Sequence, residues 1–209
     1  MITTTLPAEQ RTLLKNISWE TFKILLKETG EDRDSRFAYD GCNLEIMTPR
    51  FEHENPKISF DRFIFILAEE LEIEIKSAGS TTLKRKIARK AIEPDNCYYI
   101  QSELSVRGNE TLDLETDPPP DLAIEIDITS SSIDKLDIYS ALSVNELWRY
   151  DGKNLQFYQL VEEKYIQIEK SIAFPVVSVS KMSEFIEKSK TNGEIALLKS
   201  FRTWVKKCI

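Results

Sequence analysis

The sequence predicts an α/β fold whose core runs helix, three strands, helix, strand, with an added N-terminal hairpin and a C-terminal helix. Long segments repeat apolar residues at the helical period, and several short segments alternate apolar and polar residues as strands do. The order of these segments along the chain is the third observation. We find no internal repeat, low-complexity linker or shift in composition, so we expect a single domain over residues 1–209.

The first half of the chain contains two predicted helices and a hairpin. A serine caps a helix over residues 18–28, whose apolar residues recur at helical spacing. The segment "RFAYDGCNLEIM" predicts a hairpin that turns at Asp40-Gly41. The clearest helix spans about residues 54–72, where one apolar stripe faces the core.

The second half contains most of the predicted strands. "EPDNCYYI" is a short strand, and residues 102–120 form a long polar connection that we expect to be an adjustable flap. After an apolar strand over 122–128, "TSSSIDKLDIYSAL" begins a helix at its serines. "VNELWRYDGKNLQFYQL" predicts two strands around Asp151-Gly152, and "KYIQIEKS" a third. A tail helix is predicted to face four apolar residues inward: Ile195, Leu198, Phe201 and Val205.

Composition narrows the classes of function. A net charge of −7 argues against a protein that coats nucleic acid by charge alone, although a local basic patch can still contact DNA. His53 is the only histidine, so a zinc site of two or three histidines is excluded and a metal must be held mainly by oxygen. The three scattered cysteines predict no disulfide framework. We see no secretory signal and no apolar run near the roughly 20 residues of a membrane helix, so we expect a cytoplasmic protein.

One face of the strand over residues 122–128 raises a physical problem. Glu125 and Asp127 share the face opposite the apolar side chains, and Asp121 precedes them on it. Like charges about 6.5 Å apart repel, so if they are buried they must be protonated, paired or bound to a cation. If "EPDNCYYI" pairs antiparallel with this strand, Asp95 approaches Glu125 and Asp127. A hard divalent cation would then turn their repulsion into coordination.

Lys135 adds a positive charge to this arrangement. It lies in the helix that follows the strand, and its amine can reach back over the same end of the sheet. A carboxylate pair that holds a cation beside a lysine is suited to phosphodiester hydrolysis, because the metal acidifies a water and the lysine orients it or neutralises developing charge.

Five blocks of the sequence resemble a known family. "GCNLEIMTPRFEHE", "GSTTLKRK", "EPDNCYYIQ", "PPDLAIEIDITSSSIDKLDIY" and "LWRYDG" resemble the Uma-type restriction endonucleases, formerly a domain of unknown function, of the PD-(D/E)XK nuclease superfamily. The resemblance covers about residues 36–160, to which we expect a helical extension over about 180–209. It implies a restriction-endonuclease-like fold, and Mg²⁺- or Mn²⁺-dependent endonuclease cleavage of DNA.

The resemblance also implies roles for individual residues. Asp95 would be the metal-binding aspartate and Glu125 the acidic residue of the third motif. The chain departs from the superfamily at Asp127, where the usual motif has lysine, and Asp127 becomes a supporting metal ligand. In families of this kind the lysine moves to the following helix, which makes Lys135 the candidate. Lys84 or Lys86 remains the alternative.

Supporting roles are assigned to Glu45, His53 and Asp121. Glu45 could face the same cleft from the hairpin, and for His53 a hydrogen bond at the helix entry is favoured over metal ligation. Because one domain offers one site, cutting both DNA strands needs two copies, so we expect a homodimer. A second hypothesis is an inactive nuclease fold that binds nucleic acid or protein, and a third is hydrolysis of another phosphoester.

A basic run supplies the candidate nucleic-acid contacts Lys84, Arg85 and Lys86. It holds five cations in the seven residues 84–90. As an extended strand it would place Lys84, Lys86 and Lys90 on one face. Contact with DNA phosphates and a solvated edge strand guarded by lysines explain this run equally well.

Overall fold

The structure of the protein is a computed structural model that describes residues 9–30, 33–49 and 51–209. The prediction that the N-terminus carries no secretory signal concerns a segment whose first eight residues lie outside this description. None of the described helices combines the length and the apolar character needed to cross a membrane. The described cysteines are free thiols, with Cys97 buried and Cys42 and Cys208 exposed.

Strands and helices together number seventeen in the described ranges. The strands are β1 (Glu9–Leu14), β2 (Arg36–Tyr39), β3 (Leu44–Pro49), β4 (Lys76–Ser77), β5 (Leu83–Arg85), β6 (Lys90–Ile92), β7 (Asn96–Tyr99), β8 (Leu122–Ile126), β9 (Glu146–Tyr150), β10 (Leu155–Val161) and β11 (Lys164–Ile168). The helices are α1 (Trp19–Thr29), α2 (Phe51–Glu70), α3 (Glu103–Val106), α4 (Lys135–Ala141), α5 (Val179–Ser189) and α6 (Glu194–Val205).

Two sheets organise these elements into the predicted α/β fold. The first has the strand order β1-β3-β2-β6-β5, and the second has the order β11-β10-β9-β8-β7-β4. Only β8 and β9 pair in parallel, because α4 carries the chain across between them, and the other described pairs are antiparallel. The antiparallel pairing of β7 with β8, on which the predicted site depends, is confirmed.

The second sheet is covered on both faces. Helices α2, α5 and α6 pack on one face around a buried aromatic cluster that includes Phe63, Trp148 and Phe201. On the other face α4 packs between the two sheets, where Tyr139 joins small side chains such as Ala123. Every residue of β7 and β8 is therefore buried, and polar side chains there must find partners inside the protein.

Two local predictions are wrong. Helix α4 begins at Lys135 rather than near the serines, because the carboxylate of Asp134 accepts the N–H of Asp137 and caps it. In α6 the side chain of Ile195 is 67% exposed, and Leu197 faces the core instead. The connection over 102–120 contains the short helix α3, and the amine of Lys76 donates to the carbonyl of Val106 at 2.7 Å. That this connection is an adjustable flap stays a prediction.

The basic run also differs from the prediction. It is a hairpin rather than one extended strand, and Arg85 of β5 pairs with Lys90 of β6. Lys84, Lys86 and Lys90 therefore do not line one face of a single strand. The part of the prediction that concerns the edge is confirmed, since β5 is the last strand of the first sheet.

Glu146 ties the start of β9 to the loop before α5. It is fully buried, and its carboxylate accepts the indole N–H of Trp148 at 2.6 Å and the backbone N–H groups of Ile172 and Ala173 at 2.9 and 2.7 Å. Burial raises its pKa above the usual value of a glutamate, although these hydrogen bonds oppose the rise.

We expect Glu146→Gln to lower the free energy of unfolding by about 1–3 kcal/mol, because the NH₂ group that replaces one carboxylate oxygen is only a donor and leaves at least one buried N–H without its acceptor. Urea unfolding followed by fluorescence measures the change. Glu169→Gln, at an exposed position, is the matched control and should shift stability by less than about 0.5 kcal/mol. Equal stability of the two variants would contradict the structural role of Glu146.

Candidate active site

The pairing of β7 with β8 fixes the carboxylate of Asp95. Asn96 lies opposite Ile124, and continuing this register places Asp95 opposite Glu125. The N–H of Asp95 donates to the carbonyl of Ile124 at 3.1 Å, and the N–H of Ile126 donates to Asp95 Oδ2 at 2.7 Å. The two predicted metal ligands are therefore cross-strand neighbours on the same face of the sheet.

The second oxygen of Asp95 faces the guanidinium of Arg36 and the imidazole of His53. His53 Nε2 and Arg36 Nε each lie 3.3 Å from Asp95 Oδ1, but neither contact has hydrogen-bond geometry. His53 Nε2 instead bonds the carbonyl of Ile126 at 3.0 Å, the kind of helix-entry hydrogen bond expected for it. Burial alone would raise the pKa of Asp95, but His53 and Arg36 outweigh it and hold that pKa below the usual value.

Lys135 joins the other two carboxylates of the strand. Its amine donates to Glu125 Oε1 and, at 2.6 Å, to Asp127 Oδ1, while the hydroxyl of Tyr139 donates to Glu125 Oε2 at 2.5 Å. Burial raises the pKa of Glu125 to about 7, even though Lys135 lowers it. Burial disfavours the charged amine of Lys135, but Glu125 and Asp127 raise its pKa above the usual value, so it remains a cation.

Asp127 is neutralised by three cations. Besides Lys135, Arg11 donates to its Oδ1 at 3.0 Å and Arg149 to its Oδ2 at 3.1 Å. Burial would raise the pKa of Asp127, but Lys135, followed by the two arginines, lowers it below the usual value. Asp127 is thus an ionised carboxylate that holds the amine of Lys135 in place.

Arg11 links the N-terminal strand to the same cluster. It bonds Glu9 at 2.7 Å within β1 and contacts Glu45 of β3. Glu45 also accepts the N–H of Ser132 at 2.6 Å and the hydroxyl of Ser131 at 3.0 Å, and so holds the loop before α4. The contact expected between Glu45 and the cleft is therefore made through Arg11 and this loop.

These residues form one buried ion network. Its carboxylates are Glu9, Glu45, Asp95, Glu125 and Asp127, and its permanent cations are Arg11, Arg36, Lys135 and Arg149. With five carboxylates facing four cations and His53, the charges nearly balance, as buried charges must. In this form the described His, Cys, Asp and Glu side chains make no group of three or more that is arranged to hold a metal.

The donor set nevertheless fits a hard divalent cation at Asp95 and Glu125. Asp95 Oδ1 is a buried acceptor without a hydrogen bond, and Glu125 lies across the strand pair from it. Both side chains offer the oxygen ligands that Mg²⁺ and Mn²⁺ prefer. A cation bound there would compete with the amine of Lys135 for Glu125 Oε1.

A polar cavity of about 190 Å³ opens beside Glu125 and Lys135. Glu125, Lys135 and Arg149 line it together with Ser130 and Ser131. The side chain of Arg149 is 34% exposed, whereas Lys135 and Glu125 are almost fully buried. The cavity therefore gives a small anionic group access from solvent to the charged side chains.

Some predicted site residues lie elsewhere. Asp121 sits at the opposite end of β8, where its Oδ2 accepts the N–H groups of Ile100 and Ser102, so it caps that loop. Lys84 and Lys86 are exposed on the hairpin of the first sheet, and no hydrogen bond in the described residues joins their amines to the ion network. Arg85 donates to Ser143 Oγ at 3.0 Å, behind α4.

Sequence reasoning missed five residues of the candidate active site: Glu9, Arg11, Arg36 and Arg149 of the ion network, and Tyr139, which donates to Glu125. Two of them carried a signal. Tyr139 stands four residues after Lys135, one helical turn away on the same side, and Arg149 lies beside Glu125 once β9 is paired in parallel with β8.

Comparison with known proteins agrees with the fold. The sequence matches the model of the Uma2 family, described as "Putative restriction endonuclease", over residues 19–182. The structure resembles the crystal structure of a "putative nuclease" of the DUF820 family from Anabaena variabilis, with a TM-score of 0.52 and 14% sequence identity, covering 81% of this chain and 99% of that one. This likeness establishes the fold alone. No curated protein matches the sequence. Because the matched residues make up more than half of the chain, the protein belongs to the Uma2 family of restriction-endonuclease-like proteins.

Proposed function

We propose that the protein is a Mg²⁺- or Mn²⁺-dependent endonuclease that hydrolyses the phosphodiester bonds of DNA. The observation that carries this proposal is the buried juxtaposition of Asp95, Glu125 and Asp127 with the amine of Lys135. Membership of a restriction-endonuclease-like family supports nuclease chemistry. The metal, the substrate and the roles of the residues are our inference from the donor set and its surroundings.

Asp95 and Glu125 are the residues that would hold the metal. When bound, the metal supplies a Lewis acid that polarises a phosphoryl oxygen and acidifies a water. The backbone N–H of Ile126 and the side chains of His53 and Arg36 keep Asp95 ionised and oriented towards that position.

Lys135 would act on the reacting phosphate. Its cation would neutralise the negative charge that develops during hydrolysis, or would orient the attacking water. Asp127 positions the amine, and a phosphate would enter through the cavity that Lys135 and Arg149 line. Preorganised charges of this kind need no reorganisation as the transition state forms.

A homodimer is part of the proposal. Each chain carries one Asp95–Glu125 site, so cleavage of both strands of a duplex requires two chains or two successive binding events. A dimer would present two such sites to one duplex.

One observation favours a second candidate, a nuclease fold that binds nucleic acid or protein without cleaving. Glu125 and Asp127 are both engaged by Lys135, and Asp127 also by two arginines. If these ion pairs are too stable to open, the metal cannot displace the amine.

Calorimetric titration with Mn²⁺ distinguishes the two candidates. We expect the wild-type protein to bind the ion and both Asp95→Asn and Glu125→Gln to lose the binding heat. Glu169→Gln, an exposed glutamate outside the cluster, is the control and should bind as the wild type does. No binding by the wild type would contradict the metal-dependent enzyme and support the binding module.

Cleavage assays on supercoiled plasmid and single-stranded DNA, with Mg²⁺ or Mn²⁺, complete the test. Cleavage that disappears in Asp95→Asn and Glu125→Gln supports the endonuclease. A third outcome is that the protein binds the metal and hydrolyses a simple aryl phosphodiester but cleaves neither DNA. This outcome would support hydrolysis of another phosphoester by the same residues.

A further inference from the structure

An isoleucine stands at the tip of the basic hairpin. Strands β5 and β6 are joined by residues 86–89, and the N–H of Arg89 donates to the carbonyl of Lys86 at 3.1 Å to close the turn. Arg89 adopts a left-handed backbone with φ of +49°. Ile87 occupies the centre of this turn, and its side chain is 90% exposed, more than any other large apolar residue of the described chain.

Turn chemistry does not explain Ile87. Central turn positions favour glycine, asparagine, aspartate or proline, because these residues suit the backbone geometry and the contact with water. A β-branched apolar residue gains nothing there from packing, since it packs against no core. A residue that departs from the preferences of its local structure and gains no packing in exchange is expected at a functional position.

The charges around Ile87 indicate the partner. Lys84, Lys86 and Arg89 are exposed on the same turn and its strands. Among the hydrogen bonds of the described residues, one carboxylate reaches this turn: that of Glu115 accepts the backbone N–H of Lys86 at 2.6 Å. Three cations against one carboxylate make this tip locally positive in a chain whose net charge is −7. We call residues 84–89 the basic tip.

The base of the hairpin contacts the helix that carries Lys135 of the candidate active site. The amine of Lys90 donates to Asp137 of α4 at 2.6 Å, the helix that carries Lys135. Arg89 is six residues before Asp95, so their Cα atoms are at most about 22 Å apart. This separation is shorter than one turn of duplex DNA, which is about 34 Å long.

We propose that the basic tip binds duplex DNA, with Lys84, Lys86 and Arg89 on phosphates and Ile87 inserted between base pairs in the minor groove. Apolar wedges flanked by basic residues unstack a base step in this way and bend the duplex. The inference rests on the proposed function, because it assigns the substrate contact of that same nuclease, but it concerns binding and can be tested without cleavage.

The test is fluorescence anisotropy of a labelled 20-base-pair duplex in EDTA, between 50 and 200 mM salt. Ile87→Ala should weaken binding fivefold or more without changing the salt slope, because the lost contact is apolar. The double variant Lys84→Ala/Lys86→Ala should lower the slope of log K against log salt by about two, since each phosphate contact contributes about 0.9. Ile195→Ala and Lys199→Ala/Lys207→Ala are the matched controls and should bind as the wild type does, because Ile195 and Lys199 are exposed on α6 and Lys207 is exposed just after it.

A duplex carrying 2-aminopurine reports the insertion itself. Its fluorescence should rise on binding of the wild type, because the base becomes unstacked, and should not rise with Ile87→Ala. Wild-type affinity in both hairpin variants, or absence of DNA binding by the wild type, would overturn the proposal. If the hairpin variants lose binding while the wild type cleaves no DNA, the result supports DNA binding by the basic tip and contradicts the proposed endonuclease activity. If the hairpin variants bind and cleave DNA as the wild type does, the result contradicts DNA binding by the basic tip but leaves the proposed endonuclease activity intact.

Discussion

Replacing Lys135 with methionine is expected to reduce the rate of DNA cleavage about 100- to 1,000-fold, the loss seen when one preorganised charge is removed from a transition state. Methionine preserves the unbranched stem of the side chain but removes the cation that contacts Glu125 and Asp127. Single-turnover cleavage at saturating protein measures the chemical step, and a urea denaturation curve checks that the variant is folded.

The control for this prediction is the double variant Lys84→Met/Lys86→Met. These lysines lie outside the ion network, so their loss should weaken DNA binding and leave the single-turnover rate at saturation unchanged. A folded Lys135→Met protein that cleaves at the wild-type rate would remove Lys135 from the mechanism. A large loss of the single-turnover cleavage rate in the double variant would indicate that the catalytic lysine lies on the hairpin.

The second large effect concerns stability. Arg11→Met is expected to lower the free energy of unfolding by about 3–5 kcal/mol, because removing one partner leaves buried carboxylates without a compensating charge. The arginine side chain is only 9% exposed and bonds Glu9, Glu45 and Asp127. Urea denaturation in EDTA measures the loss.

A surface arginine provides the comparison for Arg11. Arg62 pairs with Glu194 at 2.6 Å, but their side chains are 42% and 66% exposed, so solvent screens the pair. Arg62→Met should change stability by less than about 1 kcal/mol. If the two variants are equally stable, the contacts of Arg11 contribute no more than an exposed ion pair.

Residues close in sequence or strand register were the predictable part of the site. Glu125 and Asp127 are two apart on a strand, and the Pro94-Asp95 turn with antiparallel pairing brings Asp95 beside them. Lys135 lies in the first turn of α4, the helix that connects β8 to β9. Alternation on β8 and the order of the elements therefore sufficed to propose these residues together.

The remaining residues depend on contacts that no local pattern encodes. Arg11 and Asp127 meet across 116 positions, and β1 itself has no regular alternation of apolar residues. Ile195 was misassigned because its spacing fits the inward face, yet α6 turns its side chain to solvent and buries Leu197. The sequence predicts one strand for the basic run because the run contains no glycine, asparagine, aspartate or proline at its turn.

The reach of β1 into the ion network bears on how the protein should be shortened. The family match begins at residue 19, downstream of β1, so a polypeptide trimmed to residues 19–182 keeps Asp95, Glu125 and Lys135 but loses Arg11. Glu45 and Asp127 would then face each other's charge without their shared guanidinium. Any assay of a minimal version would measure a damaged electrostatic balance, even though every motif residue of the family remained in the chain.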